Sequence, residues 1–120
     1  LNTALGKKDV YKVNQIVDYF AANPKSNPVP VVRGSLYSYF SKILKYHYLP
    51  DKSQQVAAKE MGVHPFFLKD YELAARNYPP GKLFYVINYL KEYDLKSKGV
   101  DAINLESADL MKELMFKILH

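Results

Sequence analysis

The sequence predicts an all-α domain: a compact packing of several helices with no sheet. Three observations carry this. The apolar residues of each segment repeat at helical spacing, and no run alternates apolar and polar with period two. Residues suited to helix starts and stops, such as Asp9, Gly62, Pro65 and Pro80, fall between the apolar stripes. The 120 residues, with 48% hydrophobic content, read as a single helical domain over residues 1–120. Such a chain buries roughly two-thirds of the surface its unfolded form exposes.

Taken in order, Leu1 to Leu5 reads as the tail of a helix ended by Gly6. Because the chain opens at Leu1 rather than Met, it is expected to be a piece of a longer protein. Asp9 caps a helix from Val10 to about Ala22, with Val13, Ile16, Val17 and Phe20 on its apolar face. Asn23-Pro24 closes it, and the polar, proline-bearing segment that follows is a loop. A long helix is expected from about Val31 to Tyr48, with Leu36, Phe40, Ile43, Leu44 and His47 along one side. Gly34 inside it costs up to ~1 kcal/mol relative to alanine. Asp51 or Ser53 then caps the next helix.

From Gln54 to Gly99 three helices are expected with little between them. The first covers Gln54 to Met61 and stops at Gly62, which can take the left-handed conformation of a helix C-terminus. The second begins at Pro65, with Phe67, Tyr71, Ala74, Ala75 and Tyr78 as its apolar set. Pro79-Pro80 ends it, and Pro80 starts a third helix with the stripe Leu83, Val86, Ile87 and Leu90. Asp94 falls on that stripe and therefore needs a partner. The candidates are Lys98, one turn on, or the free N–H groups at another helix's start. The last helix starts after Asn104 and runs nearly to His120, turning Leu110, Met111, Leu114, Met115 and Ile118 inward.

The net charge of +5 lies in one half of the chain. Residues 1 to 60 carry nine Lys/Arg against four Asp/Glu, and residues 61 to 120 carry eight of each. A solvated basic face is the ordinary reading; a patch for an acidic partner or a phosphate backbone is the sharper one. Arg33, Lys42, Lys45 and Lys52 are the candidates for weak phosphate contacts. The chain has no cysteine, so it makes no disulfide and does no thiol chemistry. No run approaches the ~20 apolar residues that span a bilayer. With no leader in view, a cytoplasmic location and no membrane partner are expected.

The chemistry-bearing residues form no recognisable constellation. His47, His64 and His120 share no ligand spacing with carboxylates, so no metal is expected. His47 reads as a hydrogen-bonded core residue, and His64 as part of the entry into the helix behind it. No glycine-rich loop stands before a Lys-Ser/Thr pair, and no serine sits in a nucleophile turn. Neither a cofactor nor a catalytic residue is therefore expected. Eleven tyrosines and six phenylalanines exceed what a single set of core stripes needs. Tyr37, Phe66 and Tyr85 are the candidate interface residues, since aromatic rings bury much area with few rotors to fix.

A short helix, a glycine turn and a second helix also outline a helix-turn-helix, which makes a DNA-binding module the alternative function. The N-terminal half of that second helix, Pro65 to Tyr71, is dominated by aromatics and carries an acid, which suits protein packing better than groove reading.

The ordered set Met61-Gly62-Val63, His64-Pro65-Phe66-Phe67 and Tyr89 through Gly99 resembles the C-terminal region of the bacterial DNA polymerase III delta subunit family. Ala4-Leu5, Asp9, the Ile16 to Phe20 helix and Lys45-Tyr46-His47 extend the likeness over essentially the whole chain. The resemblance implies a clamp-loader collar, a helical oligomerisation domain that joins subunits of gamma or tau and delta-prime type into a ring. It implies no catalysis in this piece, although its parent would belong to the polymerase holoenzyme. Clamp contacts would lie in an N-terminal part outside this chain, and any DNA contact would be weak and made through the assembly.

Overall fold

The computed structural model describes residues 1–23, 25–99 and 104–120, with side chains given outside 96–108. The described residues form helices and no strand. In chain order these are α1 (Asn2–Gly6), α2 (Val10–Ala22), α3 (Val29–His47), α4 (Gln54–Met61), a 3₁₀ turn (Pro65–Phe67), α5 (Leu68–Asn77), α6 (Pro80–Gly99) and α7 (Asn104–Leu119). The body measures 46 × 23 × 23 Å.

α3 and α6 pack along each other at the centre. α7 lies against α6 and α2, while α1 and α5 close the other side. The core is built where their stripes meet. Leu36, Phe40 and Ile43 of α3 are fully buried, with Leu83, Val86 and Leu90 of α6 and Met115 and Ile118 of α7. Leu44 and Leu110 sit at the core's edge, only partly covered, and Ile87 of the expected α6 stripe is only half-buried. Phe40 and Tyr78 meet edge to face, with centroids 5.2 Å apart.

Local chemistry accounts for most boundaries. Asp9 caps α2, its Oδ1 accepting from the Lys12 N–H at 3.1 Å. Gly62 ends α4 with φ of 69°, the left-handed region where glycine has no Cβ penalty. α3 begins two residues before the expected start, because Pro30 in its first turn has no N–H to leave unpaired. Ser53 stands at the cap of α4 but makes no side-chain cap bond; Asp51 Oδ1 instead accepts from the Ser53 N–H at 2.8 Å.

One expectation holds with an added role, and one is corrected. Gly6 is the last residue of α1, as expected, and the positive φ of 54° falls two residues on, at Lys8. Glycine serves another end there, since a Cβ at Gly6 would overlap the Tyr39 hydroxyl and press on Ala74. The close approach lets the tip of α5 finish α1. Tyr78 Oη donates to the Leu5 carbonyl at 2.6 Å, and Asn77 Nδ2 donates to the Gly6 carbonyl at 2.8 Å. Those carbonyls belong to the last turn of a helix and have no partner within it. The correction concerns Phe67. Pro65 opens a 3₁₀ turn rather than α5 itself, and the change of pitch turns Phe67 outward. Leu68 takes the buried position in its place.

A smaller apolar cluster lies beside the main core. Leu49, Ala57, Met61 and Leu68 form it under α4 and the 3₁₀ turn. Tyr46 and Tyr71 touch both clusters and join them. No described helix is long and apolar enough to cross a membrane.

Candidate functional site

The three interface candidates stand on different elements, and all are outside the core. Tyr37 on α3 is 47% exposed, Phe66 on the 3₁₀ turn 78% and Tyr85 on α6 62%. Among the described residues no ring contact links them, so they belong to three patches rather than one.

The first patch is a cleft of about 260 Å³ between α3 and α6, with Gly34, Tyr37 and Leu90 along it. One end is closed by an ion pair. Arg33 Nη1 lies 2.9 Å from Asp94 Oδ1, an oxygen wholly shielded from water. A carboxylate on an apolar stripe is thus neutralised by a guanidinium from the facing helix. Lys98, the partner expected one turn along, lies outside the described side chains. Gly34 leaves the cleft wall low, as a Cβ there would meet nothing within 4 Å.

The second patch surrounds the 3₁₀ turn. Phe66 and Phe67 meet edge to face at 5.4 Å. Behind them His64 Nδ1 accepts from the Phe66 N–H at 3.0 Å, so this imidazole sets the turn's entry as expected. No family model, curated protein or solved structure matches the chain. Its surfaces must therefore be read from their own chemistry.

The third patch was not foreseen as a basic surface, because the sequence count puts the excess charge in the first sixty residues. Tyr85 stacks on Tyr89 at 6.4 Å, and the ammonium groups of Lys82 and Lys117 lie over the Tyr89 ring at 5.7 and 5.6 Å. Lys82 Nζ also donates to the Lys117 carbonyl at 2.9 Å, satisfying an acceptor in the last turn of α7. Burial holds Lys82 below the ordinary lysine value, and the charge of Lys8 adds to that. The spacing of Lys82, Tyr85 and Tyr89 puts them on one face of α6. Only the return of α7 adds Lys117.

The candidate phosphate contacts divide in two. Arg33 is committed to Asp94. Lys52 donates to the carbonyls of Leu49 at 3.0 Å and His47 at 3.3 Å, closing the end of α3. Lys42 is half-buried and Lys45 is exposed on α3. The histidines are scattered: His47 Nε2 lies 2.8 Å from the Tyr78 carbonyl at the core edge, and His120 packs on Phe116 at the end of the chain. Among the described residues no three His, Asp or Glu side chains gather in a metal-binding arrangement.

Proposed function

We propose that this chain is a non-catalytic assembly domain, the collar of a clamp-loader delta subunit, which supports the loading of a sliding clamp in DNA replication. The observation that carries the reading is the distribution of aromatic residues. A fully helical body keeps Tyr37, Phe66, Phe67, Phe84 and Tyr85 at its surface, although its core already contains Phe40, Tyr39, Tyr78 and Tyr93. Large rings left outside a complete core are suited to burial against other proteins. The ordered residues that resemble the delta-subunit family, from Ala4 to Gly99, supply the identity of those partners: loader subunits of gamma or tau and delta-prime type.

A helix-turn-helix role fits the surface less well. The outward residues of the second helix's first turns are Phe66, Phe67, Lys69 and Asp70, which offer one cation, one acid and two rings to a polyanionic groove. Any DNA contact is assigned to Lys42 and Lys45, with dissociation constants near ~10⁻⁴–10⁻⁶ M at physiological salt and little regard for sequence.

Titration of the chain against each loader component, singly and together, tests the proposal. Modest binding to single subunits and clear incorporation with the full set is the expected result, because the other contacts of a ring raise the effective concentration. Binding to the sliding clamp alone, without binding to loader subunits, would show the role to be wrongly assigned.

A further inference from the structure

A cleft of about 310 Å³, bordered by α1, α3 and the start of α5, has a composition that surface packing alone does not require. Its lining includes Thr3, Tyr39, His64, Phe67, Asp70 and Tyr71. Four rings make the walls. Tyr39 and Tyr71 are 5.3 Å apart at an angle of 42°, and His64 and Phe67 are 6.4 Å apart, edge to face. Asp70 is the acid among them. Among the described residues it forms no ion pair and its carboxylate accepts no hydrogen bond. Its place in the first turn of α5 sets it beside the helix's positive end but gives it no cationic partner.

The electrostatics of the cleft have one sign. Aromatic faces carry negative quadrupole density, and the carboxylate adds a full charge. His64 contributes no positive charge in this conformation, because Nδ1 accepts from the Phe66 N–H and the ring's proton is therefore on Nε2. No lysine or arginine lines the cleft. The tyrosines register the same field: the Tyr71 phenol is raised by burial and then by the charge of Asp70, and Tyr39 by burial, Tyr71 and Asp70.

These features constrain the occupant. Asp70 is exposed at the cleft, and a group seated there covers part of it, so an apolar occupant would displace water from the carboxylate without pairing it. A cation relieves that penalty. A planar guanidinium answers the geometry better than an ammonium, because it pairs with a carboxylate in bidentate fashion while stacking on flat rings. Phe66 and Phe67, joined edge to face and 78% and 51% exposed, give the mouth an apolar rim that residues flanking an arginine would cover. We propose that this cleft receives an arginine side chain of a partner polypeptide, its guanidinium paired with Asp70 and stacked against Phe67 and Tyr71. The inference goes beyond the assembly reading and stands whichever protein supplies the arginine.

Nuclear magnetic resonance titration of the 120-residue chain decides it with four probes: acetyl-arginine amide, acetyl-lysine amide, the tripeptide acetyl-Leu-Arg-Leu-amide, and the same tripeptide with citrulline for arginine. The arginine tripeptide is expected to give saturable shifts centred on Thr3, His64, Phe67, Asp70 and Tyr71. It should bind more tightly than acetyl-arginine amide, because its leucines cover the rim. Acetyl-lysine amide should bind more weakly than its arginine counterpart, and the citrulline tripeptide should produce no saturable shift. Asp70→Asn should weaken the arginine tripeptide about tenfold, the loss of a charge-assisted hydrogen bond. Phe67→Leu, which keeps apolar bulk but removes the ring face, should weaken it less. Equal binding of the citrulline tripeptide overturns the proposal, as does unchanged affinity in a folded Asp70→Asn variant. Equal binding by acetyl-arginine amide and the tripeptide overturns the polypeptide assignment.

Discussion

The centre of the molecule, where α3 meets α6, and the corner beneath α4 and the 3₁₀ turn are made from similar amphipathic segments, yet they bury very different amounts. At the centre, Leu36, Phe40, Ile43, Leu83, Val86 and Leu90 are closed from water, with helices on several sides. At the corner, α4 meets only α3, α5 and the 3₁₀ turn among its substantial neighbours. There the covered set shrinks to Leu49, Ala57, Met61 and Leu68, while Val56, Phe66 and Phe67 stay exposed. An apolar stripe is buried to the extent that other elements cover it, and α4 stands at the edge. The centre therefore sets global stability. The corner has apolar surface left for binding and is the place for local opening.

The largest test of this contrast is a pair of core truncations. Phe40→Ala should cost about 3–5 kcal/mol and expose the whole molecule to unfolding, since it empties space around Tyr39 and Tyr78. Met61→Ala should cost less and speed hydrogen exchange mainly in α4. Equal acceleration in α3 and α4 from Met61→Ala would merge the two regions into one cooperative unit.

Alkali should act on the centre first. Burial raises the phenols of Tyr39, Tyr78 and Tyr93 above the usual 10.0. Above that value the unfolded chain releases protons which the folded chain retains, so stability falls as pH rises through the window between the two. The melting temperature at about pH 11 should lie well below that at about pH 9. No change between them would mean that these hydroxyls ionise without unfolding.

Crowding at the α1–α3–α5 junction gives an intermediate effect. Gly6→Ala should cost about 1–3 kcal/mol by forcing a methyl against Tyr39 and Ala74. Tyr39→Phe should recover part of the loss in the double variant, because it removes a hydroxyl that is buried without a hydrogen-bond partner among the described residues. If the two changes simply add, the clash lies elsewhere.

Asp94→Ala follows, with a cost of about 1–3 kcal/mol from leaving the Arg33 guanidinium unpaired between α3 and α6. Arg33→Met beside it should restore part of that stability; a variant as stable as the parent would show that the pair is neutral. The smallest effect belongs to the corner's surface. Phe66→Ser should change stability by no more than about 0.5 kcal/mol, because the ring is already in water. A larger loss, read from chemical denaturation, would mean that the rim of the arginine cleft also holds the fold.

Much of the architecture could be read from local signals. Asp9, Gly62 and Pro80 act where they stand in the chain, through a cap, a left-handed turn and a fixed φ, and the helices near them begin or end as their chemistry requires. The stripes of α3, α6 and α7 were also apparent, since 3.6-residue periodicity is a property of one segment. Asp94 drew attention for the same reason: a charge on an apolar stripe demands a partner.

Which partner was a tertiary matter. Arg33 is sixty-one positions away by residue number, and no spacing rule joins it to Asp94. The same holds for Gly6, whose missing side chain matters only because Tyr39 and Ala74 arrive from two other helices. Phe67 looked like a core residue until the 3₁₀ pitch turned it outward, and Asp70 became part of a cleft only when Thr3 and Tyr39 were brought beside it. By itself the sequence determined the all-helical class, most element boundaries and the inward faces, because capping and periodicity operate within a few residues. The tertiary structure decided the ion pair, the close approach at Gly6 and the aromatic cleft, because each depends on side chains that meet only after the helices have packed.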